Sequence, residues 1–203
     1  MHDYAIDNHP KEKILFGLAF IAITAAPVLN VAVEAGLTGV RALSGIPAPP
    51  VTAVPVFALF IGLYQLFNHK LWKSAWVRKF LLVPDLNGEW ACDGETKLKN
   101  GEKANFKWEG KIVITQSWSK ILVHLQTKTS SSKSVSASIF HDKGVGYRLQ
   151  YFYGNDPTAA AFDLNKHDGF AEILFAEDCR SGRGNYFTDQ HRQTVGTMSV
   201  KKN

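Results

Sequence analysis

Between Ile14 and Val33 the chain runs for twenty residues, "ILFGLAFIAITAAPVLNVAV", without a charge. A helix rises about 1.5 Å per residue, so a run of this length crosses a hydrocarbon core of about 30 Å. Pro27 and Asn30 are compatible with such a span, because neighbouring helices take up the freed backbone groups. A second apolar stretch, "VTAVPVFALFIGLYQLF", covers the seventeen residues Val51 to Phe67 and follows Pro49 and Pro50, which suit a helix start. The seventeen residues between them, "EAGLTGVRALSGIPAPP", read as a Gly/Pro-rich connection. The pattern predicts a transmembrane hairpin of two helices, about 14–33 and 51–67, within an anchor of residues 1–83. The alternatives are a buried core helix or a signal peptide. A signal peptide has a shorter apolar run and a strongly positive start, whereas "HPKEK" is weakly positive and the second stretch would still need housing.

After "VPDLNGEW" the apolar positions switch to period two. Ile112, Ile114, Gln116 and Trp118 share one parity, and Ile121, Val123 and Leu125 continue it on a following strand. "SVSASIFH", "GYRLQYFY" and "GFAEILFA" add short β-rich runs, with turn signals at "NGE" and "DKG". No stretch after Pro84 has the spacing and caps of a helix. Residues 84–203 therefore predict an all-β domain of about eight strands, enough to close an up-and-down antiparallel barrel that can hold one small ligand. A sandwich is the alternative, since period two alone does not separate them. Two long connections, "TKTSSSKS" at 127–134 and "GNDPTAAAFDLNKHDG" at 154–169, are candidates for a binding mouth.

Charge changes the picture in two ways. Residues 1–83 carry 7 basic and 4 acidic residues, and residues 84–203 carry 16 and 14, so the net +5 leaves the β domain at only +2. That distribution lacks the clustered cationic footprint of a double-stranded nucleic-acid binder, and no DNA partner is expected. Lys11 and Lys13 precede the first span and Lys70, Lys73, Arg78 and Lys79 follow the second, while the connection offers only Arg41. The Lys/Arg bias predicts that both termini and the β domain face the cytoplasm, on a chain that crosses its membrane twice. Trp72 and Trp76 lie among these cations, as in a segment at the membrane interface. Cys92 and Cys179 are not in a CxxC pair and read as reduced structural thiols.

A search for chemistry returns recognition rather than catalysis. None of the seven histidines forms HxH or HExxH, and GxSxG, Walker and dinucleotide loops are missing, so no enzyme, metal or cofactor is expected. His167 between Asp163 and Asp168 reads more simply as part of a polar mouth loop than as acid–base machinery. Tyr147, Leu149, Tyr151 and Tyr153 make an aromatic row that reads either as packed barrel interior, the simpler reading for Tyr147, or, at Tyr151 and Tyr153 beside the long loop, as rings able to stack on a base. Ser131 and Lys133 offer a hydroxyl and a cation for phosphate, or else belong to a plain polar loop. In "GRGNYFTDQHRQTVGTMSV", a hairpin turning at "DQH" brings Tyr186, Thr188, Arg192 and Thr194 to one end. Arg192 needs an anionic partner, either an internal carboxylate or a ligand phosphate.

The arrangement of two spans followed by "LNGEW", "ITQSW", "SSSKS", "YFYGNDP", "HDGFAEILF" and "GNYFTDQHRQTVGTM" resembles the two-transmembrane, β-strand-rich effectors associated with SMODS nucleotidyltransferases, which act in cyclic-oligonucleotide anti-phage defence (CBASS). The resemblance implies a β-barrel that binds a cyclic dinucleotide made by a partner nucleotidyltransferase. It also implies self-association on binding, and membrane segments that disrupt the lipid bilayer and kill the infected cell. The residues assigned to the ligand are Ser131, Lys133, Tyr151, Tyr153, His167, Tyr186, Thr188, Arg192 and Thr194. From the residues alone, the alternative is a membrane-anchored, lipocalin-like carrier or sensor of an apolar or lipid ligand. An interior of Tyr, Thr, Gly and Arg suits a polar ligand better.

Overall fold

The computed structural model describes residues 1–7, 9–44, 55–99, 102–157, 166–190 and 192–203. The chain divides into two compact units, one made of Met1–His9 with Ala75–Asn203 and the other of Pro10–Ser74.

Among the described residues, the first unit is a closed barrel of nine strands. These are β1 (His2–Ile6), β2 (Gly88–Lys99), β3 (Glu102–Gln116), β4 (Lys120–Thr127), β5 (Ser130–Asp142), β6 (Gly146–Pro157), β7 (His167–Phe175), β8 (Ser181–Thr188) and β9 (Thr194–Lys202). A short helix, Ala75–Leu81, leads into β2. The order around the barrel is β1-β4-β3-β2-β9-β8-β7-β6-β5, so eight strands form the expected antiparallel meander and closure excludes the sandwich. The ninth strand was not foreseen. β4 and β5 pair directly only at His124–Gln126 with Ser131–Lys133, and beyond this they part. β1 fills the gap, antiparallel to β4 and parallel to β5. Residues 1–9 therefore belong with the barrel and not with the anchor that residues 1–83 were expected to form.

The inward period-two residues fill one end completely. Trp90, Ile112, Ile114, Ile121, Ile139, Leu149, Ile173 and Phe175 are fully buried, with Leu86 beside them. Trp90 and Phe175 meet edge to face at 4.8 Å. Gln116 ties this end together. Its side chain accepts from Leu86 N at 2.9 Å and donates to the Tyr4 hydroxyl at 3.0 Å and to Pro84 O at 3.1 Å. β1 is thus locked into the seam through a buried hydrogen-bond network, which is why a five-residue strand is stable there.

Two expectations about connections change. The stretch 127–134 is no loop, because β4 runs to Thr127 and β5 begins at Ser130. The stretch 154–169 is mostly strand at its ends, with Gly154–Pro157 in β6 and His167–Gly169 in β7; residues 158–165, including Asp163, lie outside the described residues.

In the second unit, α1 spans Lys11–Ser44, α2 spans Val56–His69, and a 3₁₀ turn covers Leu71–Lys73. α1 continues well past Val33 into the segment read as a connection. Ala35, Leu37, Val40 and Ala42 are adequate helix residues, and the two glycines weaken a helix by only about 1 kcal/mol each. Over Lys11–Leu43 this helix is long and apolar enough to cross a membrane, and only 17% of its most apolar window is buried. A soluble core helix would bury that surface, yet Phe16, Phe20, Ile23, Val28 and Val31 are exposed. α2 is shorter than the predicted span: it starts directly after Pro55, whose fixed φ of −63° and missing N–H suit the cap position. Residues 45–54, with Pro49 and Pro50, lie outside the described residues.

Candidate functional site

The end of the barrel opposite Trp90 holds a cavity of about 640 Å³, within the usual range of about 300–1,000 Å³ for small-molecule sites. Residues of β2 to β9 line it, and most are aromatic or polar.

Three rings shape its wall, and each faces a glycine directly across the ladder. Trp108 pairs with Gly94, Tyr153 with Gly169, and Tyr186 with Gly196. A Cβ on these glycines would lie 2.1 Å from the Trp108 ring, 2.4 Å from Tyr153 and 2.5 Å from Tyr186. The glycines therefore let each ring lie flat over the neighbouring backbone instead of standing into the lumen. Tyr186 is held further by hydrogen bonds at its hydroxyl: Trp108 Nε1 donates at 3.1 Å, and Thr96 Oγ1 is 2.8 Å away. Tyr151 and Tyr153 sit 6.0 Å apart on β6.

Burial pushes the Tyr151 phenol far above its ordinary range, with smaller contributions from Tyr153 and Cys92. Burial also dominates the upward shift of Tyr153; Tyr186 and Asp189 add to it and the Arg192 guanidinium opposes it. Both phenols therefore stay neutral hydrogen-bonding groups at physiological pH.

The β8–β9 turn is fixed at both ends. Thr188 Oγ1 accepts from Thr194 N at 2.8 Å, and the two threonine hydroxyls are 2.8 Å apart. Asp189 Oδ2 accepts from Asp168 N at 2.9 Å, while Asp189 N donates to Asp168 O at 2.9 Å. This framework presents Arg192, half-buried, at the cavity. Arg192 N donates to Asp189 O at 3.2 Å, whereas its guanidinium makes no ion pair or hydrogen bond with another described residue. The rim carries Lys107 and Lys128 against Asp93 and Glu109, so charge there is nearly balanced.

Of the residues chosen from sequence, Tyr151, Tyr153, His167, Tyr186, Thr188, Arg192 and Thr194 all line this one cavity. Ser131 and Lys133 do not. Ser131 Oγ lies 2.8 Å from His124 Nε2 and Lys133 is exposed opposite His124, both on the outer face. Partial desolvation and then the Lys133 charge lower the His124 pKa. The inward residues of that strand are Ser130 and Ser132. The stretch expected to be a polar loop is instead strand, and a bulge between Ser134 and Ser136 sets which of its side chains face inward. Sequence reasoning also missed Trp108, Thr96, Ser132 and Asn155. The parity of Ile112 and Ile114, extended upstream, reaches Trp108 and was the available signal.

Comparison with known proteins agrees with this architecture. Residues 81–202 match the family model described as the Cap15 cyclic dinucleotide receptor domain, and residues 12–73 match the model of the Cap15 TM helices. The chain is also 40% identical over 189 residues to CD-NTase-associated protein 15 of Yersinia aleksiciae, covering 90% of this chain and 89% of that one. The resemblance read from the sequence holds: the chain belongs to the Cap15 family of CBASS-associated proteins, which join TM helices to a cyclic dinucleotide receptor domain.

Proposed function

We propose that this protein is a nucleotide-gated effector without catalytic activity of its own. The barrel cavity binds a cyclic dinucleotide supplied by a partner nucleotidyltransferase, the protein then self-associates, and its membrane segments disrupt the inner membrane. The observation that carries the reading is Arg192. It faces a cavity lined by tyrosines and hydroxyls with no carboxylate paired to it among the described residues. A guanidinium in that position suits a bidentate phosphate contact, and the neutral Tyr151 and Tyr153 rings suit stacking on a base. An apolar ligand would leave these polar groups without partners.

Two further observations support the membrane and assembly parts. The chain leaves the barrel at His9 and returns to the same unit at Ala75. If α1 crosses the bilayer, the chain must cross back before residue 75, which favours two spans and agrees with the Lys/Arg flanks that put both termini in the cytoplasm. On the outer face of the barrel, Phe152, Phe170, Phe187, Val195 and Leu98 pair in register across five successive strands. Phe152 is 55% exposed and Phe187 50%. A contiguous apolar row of this kind on a sheet surface marks an interaction face, and we assign it to contacts between copies. Binding that favours the assembled state by each further tenfold contributes about 1.4 kcal/mol to the switch.

The test is dye entry into bacteria that express the protein with and without an active cyclic-dinucleotide synthase. The proposal expects the inner membrane to become permeable only when nucleotide is made, and Arg192→Ala to prevent it. Permeability independent of the synthase, or unaffected by Arg192→Ala, contradicts it.

A further inference from the structure

The ladder sets Ser132, Asn155 and His167 directly opposite one another on β5, β6 and β7. They are 4%, 6% and 7% exposed, and all three line the cavity. A row of buried polar side chains on an inward barrel face is unfavourable unless each finds a partner. The Asn155 side-chain amide does not: Nδ2 has no hydrogen-bond acceptor among the described residues. Its place explains what it lacks. The next inward residue of β6 is Tyr153, whose ring forms the cavity wall. Asn155 therefore sits where the edge of a base lying on that ring would meet the protein.

A carboxamide is not a phosphate-binding group by charge. It presents a donor and an acceptor side by side, the pattern with which Asn and Gln recognise base edges. Arg192 and Asn155 then divide the work: the cation serves the phosphates, which every cyclic dinucleotide has, and the amide serves the base, by which they differ. We propose that Asn155, flanked in the ladder by Ser132 and His167, is the base-reading residue of the cavity. Its Nδ2 donates to a ring nitrogen or carbonyl oxygen of one base of the bound cyclic dinucleotide. The inference rests on the cyclic-dinucleotide reading of the cavity and adds the source of selectivity to it.

The test is calorimetric titration of the full-length, detergent-solubilised protein with four probes: cyclic di-AMP, cyclic di-GMP, cyclic di-UMP and cyclic UMP–AMP. Wild type is compared with Asn155→Asp, which exchanges the donor for an acceptor, and Asn155→Leu, which removes both. Wild type is expected to discriminate among the probes. In the variants, the affinity ratio between the best and the other probes is expected to change by about tenfold or more. Variants that melt like wild type but keep its rank order and ratios overturn the inference while leaving the cavity assignment intact. If wild type binds none of the four, the parent reading fails and this one with it. Should neither variant fold, the side-chain amide resonance of Asn155 in ¹⁵N-labelled wild type decides. It must shift when the best probe is added, and an unmoved resonance overturns the inference.

Discussion

The indole of Trp108 on β3 donates from Nε1 to the hydroxyl of Tyr186 on β8 at 3.1 Å, joining strands that are separated by β2 and β9. The two rings meet edge to face at 5.7 Å. This contact runs along the barrel wall over β2 and β9, with Thr96 as the third partner, and fixes the aromatic lining of the cavity. It depends on Gly94 and Gly196 lying beneath the rings.

Gly196→Ala tests that dependence. The new Cβ would lie 2.5 Å from the Tyr186 ring and 2.5 Å from Glu95 O, so both ring and backbone must move. The expected loss is about 1–3 kcal/mol, as for other overpacked sites, with weaker binding because the Trp108–Tyr186 contact opens. Chemical denaturation and ligand titration measure the two effects; a variant with wild-type values in both would show that the ring position is not fixed by the glycine.

Gln116→Leu tests the seam. The substitution leaves the buried Leu86 N–H and Pro84 O without their partner and removes the Gln116 donor from the Tyr4 hydroxyl of β1, which keeps its bond to Ser117 O at 3.3 Å. An orphaned buried group costs about 1–3 kcal/mol. The denaturation midpoint should fall accordingly, and amide exchange in residues 2–6 should quicken more than in β7. Uniform exchange across the barrel would argue against β1 as the strand that closes it.

The response to pH follows from buried acids. Burial, with the Asp93 charge second, pushes the Cys92 thiol up to about 12 from its ordinary 9.0. Burial also raises Cys179 to about 11, with Lys202 and Arg78 opposing. Tyr4, Tyr151 and Tyr153 are likewise raised, chiefly by burial. Folded-state pKa values above the unfolded ones stabilise fully below the unfolded values and lose that contribution as pH rises. Stability should therefore be insensitive to these groups below pH 9 and decline between about pH 9 and 12. Equilibrium unfolding across that range measures it, and iodoacetamide at pH 8 should leave both thiols of the folded protein unmodified.

The exposed phenylalanine row gives a prediction that separates assembly from binding. Phe187→Lys places a charge in the middle of the outer apolar row, pointing away from the cavity. Nucleotide affinity should stay within about twofold, since the surface substitution lies outside the site, while ligand-dependent oligomers seen by sedimentation should disappear. Oligomers that persist would move the assembly surface elsewhere.

Much of this site was legible in the sequence because period-two patterning carries directly into an inward face. Tyr151, Tyr153, Tyr186 and Thr194 follow from parity alone, and their convergence follows from closure of the sheet. Ser131 and Lys133 were chosen as polar loop residues, but the stretch is the start of β5, where the bulge at Ser134/Ser136 leaves them outward and Ser132 inward. β1 escaped notice because five residues carry too short a period to read, and what stabilises them is the distant Gln116. Asn155 was hidden by its sequence neighbours: "GNDP" signals a turn, but pairing with β5 and β7 extends β6 through it.

Equilibrium binding of cyclic dinucleotides to the full-length protein and to Arg192→Ala tests the role of the cavity most directly. A guanidinium–phosphate bond contributes about 1.5–3 kcal/mol, equivalent to roughly ten- to a hundredfold in affinity. At least one cyclic dinucleotide should bind wild type, and Arg192→Ala should weaken it by that factor while melting like wild type. Failure of every cyclic dinucleotide to bind, or equal affinity in the folded Arg192→Ala protein, would contradict the assignment of the cavity.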